Sequence, residues 1–192
     1  MRELDTTELK KGVNIEIEGK PYTILKADFT NPGKGSAFVK CRIRNLETGA
    51  VIERTFKSGV STGAFEPDLD EKEVEYMYQD PAGFHFMDQL TFETITLPED
   101  QIDEQKGFLQ EAIKLKLLYY KGAPISIELP NFVVLRVQET DPGLKGDTAT
   151  GGMKKAVMET GLQINVPLFI KEEELIKIDT RSSEYVERVK EN

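Results

Sequence analysis

The sequence predicts an all-β chain made of small barrel-like units, and three observations carry that expectation. Fifteen glycines and nine prolines are spread along all 192 residues. No run with helical periodicity is long enough to anchor a helical domain. Apolar residues instead alternate with polar ones in short stretches bounded by turn residues, the signature of half-buried strands. With 39% apolar and 31% charged residues, 10 Phe and 6 Tyr, the chain can close small cores and is too apolar to stay disordered.

Residues 1–64 read as a run of hairpins. Val13 to Ile17 alternates, Glu18-Gly19-Lys20-Pro21 turns, and Tyr22 to Ala27 returns. Asn31 to Ser36 interrupts, Ala37 to Arg44 alternates again, and Glu47-Thr48-Gly49-Ala50 turns into Val51 to Phe56. Short strands in this density resemble an SH3-like barrel. The pattern lapses around Lys57 to Ala64 and the composition turns acidic from Glu66 to Glu75, so a first boundary is set after residue 64.

In residues 65–128, strands are expected at Val74 to Tyr78, Gly83 to Met87 and Thr91 to Leu97. Turns fall at Asp80-Pro81-Ala82-Gly83 and near Asp88-Gln89. A short helix over Ile102 to Glu111 is suggested by Ile102, Phe108, Leu109 and the following Ala112. Leu115 to Tyr120, the turn Lys121-Gly122-Ala123 and Pro124 to Ile127 complete a unit of strands with one helical segment, which suits an OB-fold. Leu129-Pro130-Asn131 is a connector and opens the third segment, 129–192. There Phe132 to Val137, a long loop from Glu139 to Met153, Ala156 to Glu159, Gln163 to Ile170, Glu174 to Asp179 and Glu184 to Val189 make a second OB-like unit.

Net charge is −9, which on its face opposes a nucleic-acid partner. The distribution is uneven. Residues 1–63 hold 11 Lys+Arg against 8 Asp+Glu, residues 64–128 hold 5 against 15, and residues 129–192 hold 9 against 11. An acidic body with a basic tip suits a protein that enters an RNA-lined cavity by shape and a few contacts; acidity that merely maintains solubility fits the charge equally well.

One cysteine, Cys41, excludes an internal disulfide and a cysteine zinc cluster. Its place in the alternating Phe38 to Ile43 run makes it a small buried strand residue. The only histidine, His85, lies in Phe84-His85-Phe86 and reads as a barrel-surface residue, with no nucleophile motif to serve. Lys171-Glu172-Glu173-Glu174 reads as a solvated turn and not a metal site. No catalytic residue, metal or cofactor is expected. No stretch approaches the ~20 apolar residues of a membrane span, and Met1 to Asp5 is not followed by the apolar core of a secretory signal, so a cytoplasmic protein is expected; separately, the chain is expected to be a monomer.

Asn31-Pro32-Gly33-Lys34-Gly35-Ser36 is the most informative segment. Pro32 fixes φ on the approach, and Gly33 and Gly35 allow positive φ on either side of Lys34, so a tight loop can project that single cation. A plain hairpin turn with a solubilising lysine is the other reading. A phosphate-cradling P-loop is not supported, because the required glycine spacing is absent and no helix follows. The loop Thr140 to Gly152 has four glycines, two aspartates and three threonines, and is long for a compact barrel. It reads either as a connection or as a set of amides, carboxylates and hydroxyls able to meet base edges and riboses. The tail Asp179 to Val189 alternates as a final strand, on which Arg181, Tyr185 and Arg188 are able to meet phosphates or stack on bases.

Asn31-Pro32-Gly33-Lys34-Gly35-Ser36-Ala37-Phe38, Thr55-Phe56-Lys57-Ser58, Asp141-Pro142-Gly143-Leu144-Lys145-Gly146-Asp147-Thr148 and Asp179-Thr180-Arg181-Ser182-Ser183-Glu184-Tyr185 together resemble the bacterial elongation factor P family, in order and across the whole chain. The resemblance implies an SH3-like domain and two OB domains in an L that mimics tRNA. It implies binding to both ribosomal subunits between the peptidyl and exit sites, and relief of stalling at consecutive prolines. Lys34 then approaches the CCA end of the peptidyl tRNA and is the substrate of a lysine-modifying enzyme that adds an extension such as β-lysine. Gly146, Asp147 and Thr148 lie near the mRNA at the exit-site codon, and Tyr185 and Arg188 meet RNA. Asn31 differs from many relatives at the position before Pro32, and lysine at position 34 argues against the arginine-rhamnosylated branch. Two other readings compete with it. The related hypusine-bearing factor lacks a third β domain and the Gly-Asp-Thr loop. An OB-fold RNA-binding or RNA-chaperone protein should carry a basic, aromatic-rich sheet, which the acidic middle segment opposes.

Overall fold

The computed structural model describes residues 1–33, 35–142 and 152–190. Fourteen strands account for nearly all of its regular structure. In the first segment β1 (Asn14–Ile17), β2 (Lys20–Thr30), β3 (Phe38–Asn45) and β4 (Val51–Lys57) form a sheet in that order, antiparallel throughout. Glu18 and Gly19 close the β1–β2 hairpin with positive φ at both positions, the turn geometry whose twist matches the flanking strands. Lys20 and Pro21, read from sequence as turn residues, are thus the first residues of β2, and Pro21 pairs with Glu16. Inward residues of β3 are Val39, Cys41 and Ile43, and outward ones are Lys40, Arg42 and Arg44. With Leu4, Leu9, Ile15, Ile17, Ile24 and Phe56 they form the core, each fully buried aliphatic side chain contributing roughly 1.5–3 kcal/mol.

In the middle segment β5 (Leu69–Asp80), β6 (Gly83–Asp88), β7 (Thr94–Leu97), β8 (Lys114–Tyr120) and β9 (Ala123–Glu128) form a sheet ordered β7-β6-β5-β8-β9. β5 begins five residues before the alternation predicts, because Asp70 to Glu73 are exposed on both faces and carry no apolar period. The helix expected over 102–111 is instead a single turn α1 (Glu99–Ile102) and a 3₁₀ turn Lys106–Phe108. The reason lies further along the chain: Phe108 is drawn into the core of the third segment, and Gly107 lies against Leu162. Thr160 Oγ1 donates a 2.6 Å hydrogen bond to Gly107 O at the same place.

The third segment holds β10 (Phe132–Thr140), β11 (Met153–Met158), β12 (Gln163–Pro167), β13 (Leu175–Asp179) and β14 (Glu184–Val189), ordered β12-β11-β10-β13-β14. Val133, Leu135, Val137, Ala156, Met158, Val166, Ile176 and Ile178 face inward and fill its core with Phe108.

By internal contacts the chain divides into one unit of residues 1–72 and 117–126 and another of residues 73–116 and 127–192. The first unit is therefore discontinuous in sequence. Within it, Leu46, Leu69, Leu118, Tyr120 and Ile125 form an apolar cluster. The Glu16 carboxylate, only 5% exposed, lies 3.0 Å from the Tyr120 hydroxyl, which is also 2.8 Å from Gly19 O.

His85 corrects the sequence reading. It is buried, because Tyr78 stacks on its ring at 4.5 Å and neighbouring strands close over both sides of β6. Its Nδ1 lies 2.9 Å from Thr96 Oγ1 and its Nε2 2.8 Å from Asp80 Oδ1. Just before it, Gly83 has φ +139°, and a Cβ there would sit 2.3 Å from Leu97 O. Gly83→Ala is expected to cost about 2–3 kcal/mol, from backbone strain and a clash with main chain that cannot move aside. Equilibrium urea unfolding checks this; Gly122→Ala, at a turn with open space around it, serves as the milder control.

Candidate functional site

The glycine loop that interrupts the first sheet is the connection from β2 to β3. Ala27↔Cys41, Asp28↔Lys40, Phe29↔Val39 and Thr30↔Phe38 are the last pairs of that ladder, so the strands run together right up to the loop. Its return side is tied down by Ser58, whose N–H donates to Ala37 O at 2.8 Å and whose hydroxyl meets that of buried Thr6 at 2.9 Å. Gly35 has φ +122°, as expected for one flank of Lys34; Gly33 does not have a positive φ, so the expected symmetry is absent. Pro32 is half-buried, with its Cγ 3.8 Å from where a Gly35 Cβ would lie. Asn31, Gly33, Gly35 and Ser36 are exposed. Lys34 itself lies outside the described residues.

Beside the loop-bearing end of the hairpin is a groove of about 540 Å³ lined by Thr7, Leu9, Lys10, Lys26, Phe29 and Val39, among others. Phe29 is 60% exposed. The sequence reading passed over this residue, although an aromatic displaced from the inward positions of a long strand is a signal that could have found it. The surrounding charges are mixed: Lys26 pairs with Asp28 and Lys40 with Glu53, each at 2.7 Å. Cys41, at the centre of the same sheet, is fully buried, and burial pushes its thiol up to about 11. It is inert packing and not a nucleophile.

Gly146, Asp147 and Thr148 also lie outside the described residues. Thr140 Oγ1 donates to Lys155 O at 2.9 Å, and Lys154 Nζ donates to Asp141 O at 2.9 Å, so β10 and β11 are cross-tied where the loop leaves them.

In the tail strand, Tyr185 is half-buried against the third core and Arg188 is exposed, with its guanidinium 2.9 Å from Glu174 Oε1. Glu174 also accepts the Lys171 N–H, and these donors hold its carboxyl below the usual range; the 171–174 segment is a turn, as expected. Arg181 forks onto Asp179 at 2.6 and 3.0 Å and lies over exposed Phe132, its guanidinium carbon 5.8 Å from the ring centroid. Of the site residues expected from sequence, the structure describes Pro32, Gly33 and Gly35 at the β2–β3 connection and Tyr185 and Arg188 on β14. Among the described residues no group of His, Cys, Asp and Glu is arranged to hold a metal ion, and no helix is long and apolar enough to cross a membrane.

Three family profiles match successive parts of the chain. They are the elongation factor P KOW-like domain at residues 5–61, the elongation factor P OB domain at 69–127, and elongation factor P, C-terminal, at 133–188. Elongation factor P of Moorella thermoacetica is 45% identical over 96% of this chain and 99% of that protein. That of Natranaerobius thermophilus is 44% identical over 97% of this chain and 98% of that protein. Among solved structures, eukaryotic translation initiation factor 5A from Methanococcus jannaschii aligns with 67% of this chain and 94% of that one, at 21% identity and a TM-score of 0.41. Three elongation factor profiles in succession, on an SH3-like segment followed by OB-type segments, mark the chain as a β-barrel translation factor. The chain belongs to the elongation factor P family.

Two outcomes follow from the titratable groups. Arg181, by side-chain and backbone hydrogen bonds, holds the Asp179 carboxyl down to about 2. A depressed carboxyl pKa stabilises the fold above the unfolded value and loses that contribution as pH falls from about 4 through about 2. In Arg181→Ala the Asp179 carboxyl should titrate closer to 3.8, though not fully, since the backbone N–H groups of residues 181 and 182 remain; carbon-detected NMR titration reads this. Cys41 should resist iodoacetamide at pH 8 in the folded chain and react within minutes in denaturant, as intact mass would show.

Proposed function

We propose that the chain binds the ribosome between the peptidyl and exit tRNA sites and stimulates peptide-bond formation at consecutive prolines, with Lys34 at the CCA end of the peptidyl tRNA. The observation that carries this is near-full-length identity of about 45% to elongation factor P, combined with a Pro-Gly-Lys-Gly loop held at the end of the first sheet's longest hairpin. In this reading Gly146, Asp147 and Thr148 face the exit-site codon, and Tyr185 and Arg188 meet RNA. A lysine-modifying enzyme extends Lys34. The factor works as a cytoplasmic monomer of three β domains with boundaries near residues 64 and 129, and the three profile matches, which change over near both positions, support that partition.

The physical argument is one of positioning. Proline is a poor nucleophile for geometric reasons, and a stalled prolyl peptidyl tRNA gains more from a restrained reacting end than from added acid–base chemistry. A single lysine near the CCA phosphates is able to supply that restraint as a compact point charge on a flexible stem. The ion pair of Arg188 with Glu174 does not oppose an RNA contact. Arg188 is exposed, and Glu174 keeps the Lys171 N–H as a donor when a phosphate takes the guanidinium.

Lys34→Ala should change stability by no more than about 0.5 kcal/mol. Synthesis of a reporter with three consecutive prolines should fall toward the level without the factor, while a proline-free reporter is hardly affected. Lys34→Arg should rescue poorly, because a guanidinium cannot accept a lysine-directed extension. Wild-type triproline synthesis by Lys34→Ala would refute the mechanism. For the third-segment loop, Gly146→Ala and Asp147→Ala should weaken ribosome co-sedimentation with an unchanged Tm. A large drop in Tm with normal binding would show that the loop serves the fold instead.

A further inference from the structure

The connection from β6 to β7 displays two large apolar side chains that the fold does not use. Leu90 is 88% exposed and Phe92 72% exposed, two residues apart on the same short loop. The loop carrying them is fully tied. Asp88, itself 3% exposed, accepts the N–H of Leu90 at 2.8 Å and of Thr91 at 3.1 Å on its carboxylate. It accepts the N–H of Phe92 at 2.9 Å on its carbonyl. The N–H of Asp88 donates to Glu93 O at 2.9 Å, and that of Gln89 to Glu73 O at 3.2 Å. Each backbone N–H from 88 to 92 therefore has an acceptor. Phe92 sits at φ +59°, a left-handed conformation that glycine or asparagine would occupy with less strain. A rigid turn that strains an aromatic residue in order to hold it in water is an arrangement with no benefit inside the isolated molecule.

We infer that Leu90 and Phe92 form an apolar knob that docks into a pocket of a basic protein surface. Charge selects that partner. Residues 73–116, the stretch of its own unit that bears the knob, carry 10 acidic against 3 basic residues, and exposed Glu73 and Glu93 flank it. Phosphate backbones and anionic membranes are repelled by such a surface. A basic protein with an apolar cleft is attracted to it, and an aromatic anchor with an apolar neighbour inside a charged rim has the make-up of an interface core. This rests on the ribosome reading, and within a ribosome it assigns the knob to a ribosomal protein and not to ribosomal RNA.

The test uses the full chain with a photoreactive benzoylphenylalanine in place of Phe92, irradiated on purified 70S ribosomes, with the cross-linked species identified by peptide and nucleotide mass spectrometry. A cross-link to one basic ribosomal protein, at an apolar cleft, is expected. A cross-link only to ribosomal RNA, or none although the chain co-sediments with ribosomes, overturns the knob. Failure of the unmodified chain to co-sediment at all overturns the ribosome reading and the knob with it. In parallel, the double variant Leu90→Ser with Phe92→Asn keeps a residue that tolerates positive φ. It should weaken 70S binding at least fivefold with an unchanged Tm, and unchanged affinity would overturn the proposal.

Discussion

The antiparallel ladder between β2 and β3 is the constraint on which the first barrel and its loop both depend. Because side chains alternate with a period of two, slipping β3 by one residue would turn Lys40, Arg42 and Arg44 into the core and expose Val39, Cys41 and Ile43. Taking three cations out of water costs far more than a shifted ladder could return, so the register is fixed. The ladder also contains one irregularity. Ile24 pairs with Ile43 and Lys26 with Arg42, which leaves Leu25 as an extra residue on β2. Such a bulge adds twist, and the pairs beyond it lead to the loop that bears Lys34. The place of that loop is thus set by core packing some distance away.

Much of this was legible in the sequence where the local rule and the tertiary environment agree. Glu18-Gly19 and Lys121-Gly122 announce their hairpins, and each pair adopts positive φ at both positions. The alternation of Phe38 to Ile43 gave the inward face, Cys41 included. What escaped had a physical reason in each case. The apolar spacing at Ile102, Phe108 and Leu109 looked helical, yet Phe108 is claimed by a core built mostly from residues more than twenty positions later. The expectation of a barrel-surface His85 fails because nothing local reveals that Tyr78 covers its ring. The acidic start of β5 has no apolar face, so no period could betray it.

The candidate site reads from the sequence as segments of the chain, and not as surfaces. The glycine loop, the Gly-Asp-Thr loop and the tail strand were all singled out by composition, because glycine, proline and short polar residues are what tight or extended connections require. The engagement of Arg188 with Glu174 and of Arg181 with Asp179 depends on side chains brought together by strand pairing, which no local window contains. Exposed aromatics such as Phe29 and Phe92 were missed for a related reason. Composition counts a phenylalanine as core until a structure shows it in water.

The contact of Glu16 with Tyr120 has a bearing on the order in which the chain takes shape during synthesis. One partner belongs to the first strand made and the other is 104 residues further on, in a hairpin that clusters with the first 72 residues. Domains usually condense as they emerge, N-terminal part first. Here the early barrel can form its inner core at once, but Leu46 and Leu69 stay without their apolar neighbours Leu118, Tyr120 and Ile125 until residue 126 has been translated. For that interval the nascent chain carries an unfinished apolar flank. Its closure is a long-range step with the loop-entropy cost of all the intervening residues, and it therefore sets the latest event in the maturation of the unit that bears Lys34.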